Sequence, residues 1–425
     1  MRKVLTVVLA MRNMLTVVLA LAIVSLFSVL LAQAEDTSFA KVERGHHLVD
    51  AGDCVACHTD AKGKPFAGGR PIETPFGIIY SPNITPDRET GIGAWSDEDF
   101  YRAMHNGVRP NGARLYPAFP YPYFTKMTRD DVMAVRAYLK TLPAEKNARK
   151  QPDLTWPLNH RVFMRGWDMM FFKPGTFHAN ADKSAEWNRG AYLVEGPGHC
   201  GACHTPKNEL GADKSGEALH GSVVQNWFAP KIAGNMRDGT GAWSIDDVVA
   251  YLKTGRNKLS GAAGPMAEVV ADSTSKLPDA DLRAIATYIK DADGGPDKAP
   301  PPLAQDDKMM VAGHAIYADS CSGCHQADGK GVPGMFPPLV HNANAQQRDP
   351  TTVVRVILQG ARTVATDARP TPFAMPPFDW KLTDQQVAAV ANYVRNSWGN
   401  AAPPVPPDKV KGLRDTLGKK LNDGS

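Results

Sequence analysis

The sequence carries almost no surplus of charge, a formal +4 over 425 residues, and nothing in it points to nucleic acid as a partner. Beyond residue 35 it lacks any apolar run of about 18 residues, so the chain after that point cannot span a bilayer as a helix. No nucleophile and base stand at a recognisable spacing, and no flavin fingerprint is present. Gly329-Lys330-Gly331-Val332-Pro333-Gly334 fits GxGxxG, but no strand leads into it and prolines follow where a helix should open. It reads as a tight turn whose glycines allow close backbone approach.

Cysteine is scarce, with six residues, and every one is spent the same way. Cys54/Cys57, Cys200/Cys203 and Cys321/Cys324 each enclose two residues, and each pair is followed at once by a histidine, His58, His204 or His325. With 12 histidines in the chain, three falling there by chance has a probability of about two in 100,000, so the spacing is selected chemistry. A thioredoxin-like CxxC needs a βαβ setting and no following histidine. A zinc site pairs two such knuckles around one metal and needs an even number of them. The pattern suits c-type haem attachment, in which both thiols add across the vinyl groups of one haem and the adjacent imidazole becomes the proximal iron ligand. Three covalently bound haem c groups follow.

Such attachment is completed outside the bacterial cytoplasm, and the leader has the matching form. Arg2 and Lys3 precede apolar residues through Leu31, and Ala32-Gln33-Ala34 is an A-x-A site. Residues 1–34 read as a signal peptide, with an uncleaved anchor as the alternative, and the near-duplication MRKVLTVVLA/MRNMLTVVLA offers two start codons. Cleavage lowers the net charge to +1, since Arg2, Lys3 and Arg12 leave with the leader.

The remainder is an internal triplication. Each haem motif has a helical lead-in carrying a glycine, Gly45, Gly190 or Gly313, and each unit closes on an amphipathic helix with a tyrosine: MTRDDVMAVRAYLKTLP, LPDADLRAIATYIK and LTDQQVAAVANYVRNSW. Thr383 with Gln386 forms a capping box, and Ser96 with Asp99 and Ser244 with Asp247, in the two GAWS repeats, resemble helix N-caps. The units are 35–143, 184–293 and 308–400. Between them lie a connector over 144–183, holding the aromatic stretch RVFMRGWDMMFFKPG, and a Pro/Gly-rich linker over 294–307. The connector is expected to be a helix stapling the first unit to the second, or a face for another subunit or lipid. Residues 401–425 open on a Pro-rich spacer, AAPPVPP, and then place Val410, Leu413, Leu417 and Leu421 at helical spacing among lysines and an arginine, an amphipathic tail expected to fold on a lipid or partner surface.

A methionine as second axial ligand raises the potential by favouring ferrous iron. Met375, in FAMPPF, and Met266, in GPMAEVV, take comparable places in the third and second units. In the first unit Phe119 and Pro120 stand where that methionine should be; Met127 is the choice there, with Met104 or a ligand such as His105 as alternatives.

Three CxxCH units together with LYPAFPYPYFTKM, GAWS, GPMAEVV, MPPF and WKLTD in this order resemble the triheme cytochrome c subunits of membrane-bound bacterial dehydrogenases, such as those for alcohol, gluconate, sorbitol, fructose and, in the FAD-dependent type, glucose. The resemblance spans the whole mature chain. It implies an all-α fold of three tandem class I cytochrome c domains, each wrapped around one covalent haem c. It also implies a flavoprotein (FAD) catalytic partner with a small accessory subunit, and electron delivery to ubiquinone from the periplasmic face of the inner membrane, where the chain is peripherally attached. The residues alone leave two rivals: a multihaem peroxidase with one open iron, and a soluble periplasmic shuttle.

Overall fold

A computed structural model describes residues 39–296 and 298–422. The leader, 1–34, lies outside the described residues. Three helical units follow one another in the chain. The first contains α1 (residues 39–51), α2 (Cys54–Cys57), α3 (Asp97–Asn106), α4 (Tyr121–Phe124) and α5 (Arg129–Leu139). After α6 (Phe163–Phe171) in the connector, the second contains α7 (Ala185–Glu195), α8 (Gly201–His204), α9 (Ile245–Thr254), α10 (Pro265–Asp272) and α11 (Asp279–Asp291). The third contains α12 (Lys308–Ser320), α13 (Ser322–His325), α14 (Thr351–Gln359) and α15 (Asp384–Asn396), and α16 (Pro407–Asn422) ends the description.

The helices start where their side chains stop the backbone. Ser96/Asp99, Ser244/Asp247 and Thr383/Gln386 all form complete capping boxes, so that each N-cap and its N3 residue satisfy one another's amides. In every unit the lead-in helix crosses the closing helix at its glycine. A Cβ on Gly45, Gly190 or Gly313 would lie 1.9, 1.9 or 2.2 Å from the carbonyl oxygen of Ala134, Ala284 or Ala389. Only glycine fits there. The repeated tyrosines, Tyr138, Tyr288 and Tyr393, sit one turn further along and bracket the same crossing.

The fold is not all-α. The first unit carries a hairpin of β1 (Pro71–Thr74) and β2 (Gly77–Tyr80), extended by β3 (Asp153–Leu154) from the connector. The second carries β4 (Ser222–Val224) and β5 (Trp227–Ala229), and the third the two-residue pair β6 (Ala361–Arg362) and β7 (Ala374–Met375). These strands are too short for period-2 patterning to reveal. The β4–β5 turn also uses Gln225 and Asn226, both at positive φ (51° and 59°), in place of the Asn-Gly pair that signals such a turn.

Two expectations about the flanking segments resolve on packing. The connector helix α6 is a staple: Met164 and Trp167 are buried against Tyr116 and Tyr121, and the Trp167 indole donates to the Leu210 carbonyl in the second unit at 2.9 Å. The tail does fold on a surface, but that surface is the third unit itself. Val410 and Leu417 are buried in its core, Leu413 packs beside them, and Arg414 pairs with Asp384 at 2.7 Å.

Candidate functional site: three histidine clamps

Each CxxCH motif forms a single helical turn, α2, α8 or α13, at the end of its lead-in helix. That turn sets the two cysteines three residues apart and holds the histidine at its end. What holds the imidazole is a three-part backbone device repeated in every unit. His58 Nδ1 bonds the Pro82 carbonyl at 2.7 Å, His204 Nδ1 the Pro230 carbonyl at 2.7 Å, and His325 Nδ1 the Pro337 carbonyl at 3.1 Å. A carbonyl can only accept, so Nδ1 carries the proton and Nε2 is left with a free lone pair, the form in which an imidazole can bind a metal.

The histidine's own carbonyl accepts from a glycine amide: Gly68 at 2.7 Å, Gly221 at 2.7 Å and Gly331 at 3.0 Å. Two residues past each proline, an amide returns to the residue two before that glycine, as Ile84 to Phe66, Ile232 to Leu219 and Leu339 to Gly329. Those three acceptors share the left-handed conformation, with φ of 63°, 63° and 69°. Phe66 and Leu219 are held there against their usual preference, and Thr59 and Thr205 brace them by accepting from their amides at 3.2 and 3.1 Å. Gly331, part of the sequence that mimics GxGxxG, therefore serves the clamp. Neither the glycines nor the prolines were legible as a set, because they are separated by different lengths of chain.

Burial pushes the imidazoles of His58, His204 and His325 below their ordinary range and so favours the neutral ligand form. It pushes the thiols up, Cys57 and Cys321 to about 11 and Cys200 to about 12. A disulfide oxidoreductase needs the opposite shift. Among the described residues no three His, Cys, Asp or Glu side chains converge on one point, as a zinc site requires. Arg256, over the Phe373 ring at 4.0 Å, has buried Nε and Nη1 atoms without partners, as does Nε of Arg355. Such cations match the propionates that a haem carries.

The sixth-ligand candidates sit as follows. Met266 lies half-buried in the first turn of α10, behind Pro265, and Met375 lies half-buried in β7, against β6. Met375, Trp227 and Arg355 line a cleft of about 390 Å³ between the second and third units. In the first unit Met127 (1 % exposed) and Met104 (8 % exposed) share the apolar cluster that reaches Cys54. His105 stacks on Tyr101, 5.0 Å between centroids.

The motifs of the first two units face one another. His199, beside the second motif, bonds the Gly52 carbonyl at 3.2 Å. Arg70 reaches from the Ala56 carbonyl to Glu268 on α10. Tyr123 of the first unit lies over Gly201, where a Cβ would come within 2.9 Å of its ring. Between them Asp53, whose Oδ1 has no partner, is pushed up to about 8 by burial and by Asp272 and Glu268.

The cytochrome c family model matches three stretches, 42–143, 188–293 and 310–398. The chain is 41 % identical to the gluconate 2-dehydrogenase cytochrome c subunit of Pantoea cypripedii over 92 % of both proteins. It is 40 % identical to the cytochrome c subunit of alcohol dehydrogenase (quinone) from Gluconobacter oxydans, over 91 % of this chain and 84 % of that one. To the fructose dehydrogenase cytochrome subunit of Gluconobacter japonicus it is 38 % identical, over 88 % and 82 %. Three attachment turns, three clamped imidazoles and these likenesses lead to one conclusion: the chain belongs to the cytochrome c family, as a member with three cytochrome c domains in tandem and three covalently bound haem c groups.

Proposed function

We propose that this chain is the electron-transfer subunit of a membrane-bound dehydrogenase complex. It receives electrons from a flavoprotein (FAD) catalytic subunit, assembled with a small accessory subunit, and delivers them to ubiquinone at the periplasmic face of the inner membrane. The observation that carries the reading is the threefold repetition of the histidine clamp, which prepares three equivalent sites. Each bound haem supplies a one-electron iron couple.

The chain's own residues do the rest. The thiols of Cys54, Cys57, Cys200, Cys203, Cys321 and Cys324 tether, and the three clamped histidines ligate. Met266, Met375 and, in the first unit, Met127 would provide the distal sulfur. α2 of the first domain packs against α10 of the second, and the β4–β5 hairpin on α14 joins the second to the third, through the bond from the Phe228 amide to the Thr352 hydroxyl at 2.9 Å. Since tunnelling falls off exponentially with distance, these interfaces are what a carrier needs.

The test is to purify the chain from its host and identify what accompanies it. A catalytic dehydrogenase chain should copurify, and its substrate should reduce all three haems. An isolated cytochrome with a high-spin ferric haem and peroxide turnover would replace this reading with that of a peroxidase. Changing Cys200 and Cys203 to alanine should remove a third of the covalent haem.

A further inference from the structure

Helix α6 buries one flank in the staple, yet its other flank is also apolar. Phe163 and Met170 lie at one edge of that outward flank, Val162 and Met169 at its middle, and Met169 is 85 % exposed. Trp156, 78 % exposed, precedes the helix, and the exposed side chain of Leu210 lies in the loop whose carbonyl holds Trp167. These six are half of the twelve large apolar side chains exposed among the described residues. A solvated helix face is normally polar, so a flank that carries Val162, Phe163, Met169 and Met170 is built to be covered.

The surrounding charge says by what. On and just past the helix the exposed charges are Arg165 and Lys173, whereas Arg161 is turned to the buried flank over the Tyr116 ring and the helix's one carboxylate, Asp168, is buried in its bonds to Tyr121 and Arg114. An apolar face with exposed cations beside it and its one carboxylate withdrawn is the pattern of a helix lying in a bilayer interface beside anionic headgroups. The tail, the other amphipathic helix, has its apolar face committed to the third domain. No described helix is long and apolar enough to cross a membrane.

We infer that the outward flank of α6, with Trp156 and Leu210, seats the protein on an anionic phospholipid surface. This deepens the proposed function by naming the surface that meets the membrane. Such seating brings the junction of the first two haem domains close to the headgroups, since α6 is pinned to both.

The experiment uses the haem-loaded chain lacking residues 1–34, sedimented with vesicles of phosphatidylglycerol and phosphatidylcholine or of phosphatidylcholine alone. Binding should require the anionic lipid and weaken with added salt. Met169→Glu with Met170→Glu should lower the partition by about tenfold or more, with an unchanged haem spectrum as the sign of intact folding, while Met169→Leu with Met170→Leu should bind as the parent does. As a second route, Arg165→Gln with Lys173→Gln should weaken binding and reduce its salt dependence. The inference is overturned if the parent ignores anionic vesicles or if the glutamate pair binds them equally well. It is likewise overturned if that pair leaves vesicle binding intact and instead releases a copurifying catalytic chain, which would assign the face to protein. Copurification is read apart from sedimentation, so failure here leaves the electron-transfer reading standing.

Discussion

His47 of the first domain reaches across to Asp281 of the second, Nε2 to Oδ2 at 2.7 Å. Its mirror image is Tyr192 of the second domain, whose hydroxyl donates to Asp131 of the first. His47 and Tyr192 each stand two residues after the crossing glycine, and each acceptor carboxylate is held in its own domain by the arginine just before that glycine, Arg44 or Arg189. The first two domains are thus related by an approximate two-fold exchange of the same positions. The third domain has Ala312 and Gln386 at the corresponding places and docks through α14 instead.

Removing one arm of this exchange should loosen the pair. His47→Ala is expected to cost about 1–2 kcal/mol, seen as a lower denaturant midpoint for the first two domains with covalent haem retained. Combined with Asp281→Asn, the losses should be less than additive by about 0.5–1 kcal/mol. Strict additivity would show that the contact contributes nothing.

The same carboxylate sets an acid limit. Burial opposes ionisation of Asp281, but Arg189 and His47 outweigh it and hold the group well below the usual carboxylate range. A depressed native value means that its contribution is fully present above the unfolded value of about 4 and is lost as pH falls below it. Thermal midpoints recorded from pH 6 downward should therefore drop steeply below about pH 4, and Asp281→Asn should flatten that drop.

The helix crossing tolerates no side chain. Gly190→Ala would set a methyl 1.9 Å from the Ala284 oxygen, and a cost of about 1–3 kcal/mol or more is expected from forcing two backbones apart. Gly412→Ala, in the open on α16, should be neutral or stabilising by up to about 1 kcal/mol. Melting both variants beside the parent separates steric exclusion from simple helix propensity.

Deleting residues 406–425 should destabilise the third domain. Val410 and Leu417 are both buried in its core, and each apolar side chain of this size contributes about 1.5–3 kcal/mol. The expected sign is an earlier melting transition of the domain holding Cys321 and Cys324, with the other two unchanged.

Redox titration tests the methionines. Met375→Ala and Met266→Ala should each lower one of three potentials, because loss of sulfur disfavours ferrous iron, while covalent haem stays at three. For the first domain, Met127→Ala should do the same and Met104→Ala should not. The reverse result assigns the sulfur to Met104.

The attachment motifs, the capping boxes and the glycine and tyrosine of each helix pair could be read from the sequence because each is a short-range pattern. Two thiols and an imidazole must fall on one turn, a cap must lie three residues from its partner, and a helix face must repeat at three and four. The clamp could not be read this way. Its glycine and proline are 14 residues apart in Gly68 and Pro82, nine in Gly221 and Pro230 and six in Gly331 and Pro337, because hairpins fill the first two gaps, and the bonds joining them are backbone bonds that leave little mark on residue type. Nor did the amphipathic stripe of the tail say what would cover it. Apolar burial is non-directional, so Val410 and Leu417 suit a lipid, a partner or their own domain equally well, and only the return of the chain past Val405 onto α14 and α15 decided among them. The pairing of His47 with Asp281, 234 residues apart, has the same origin: a contact between domains is chosen by how they dock, and no local pattern encodes it.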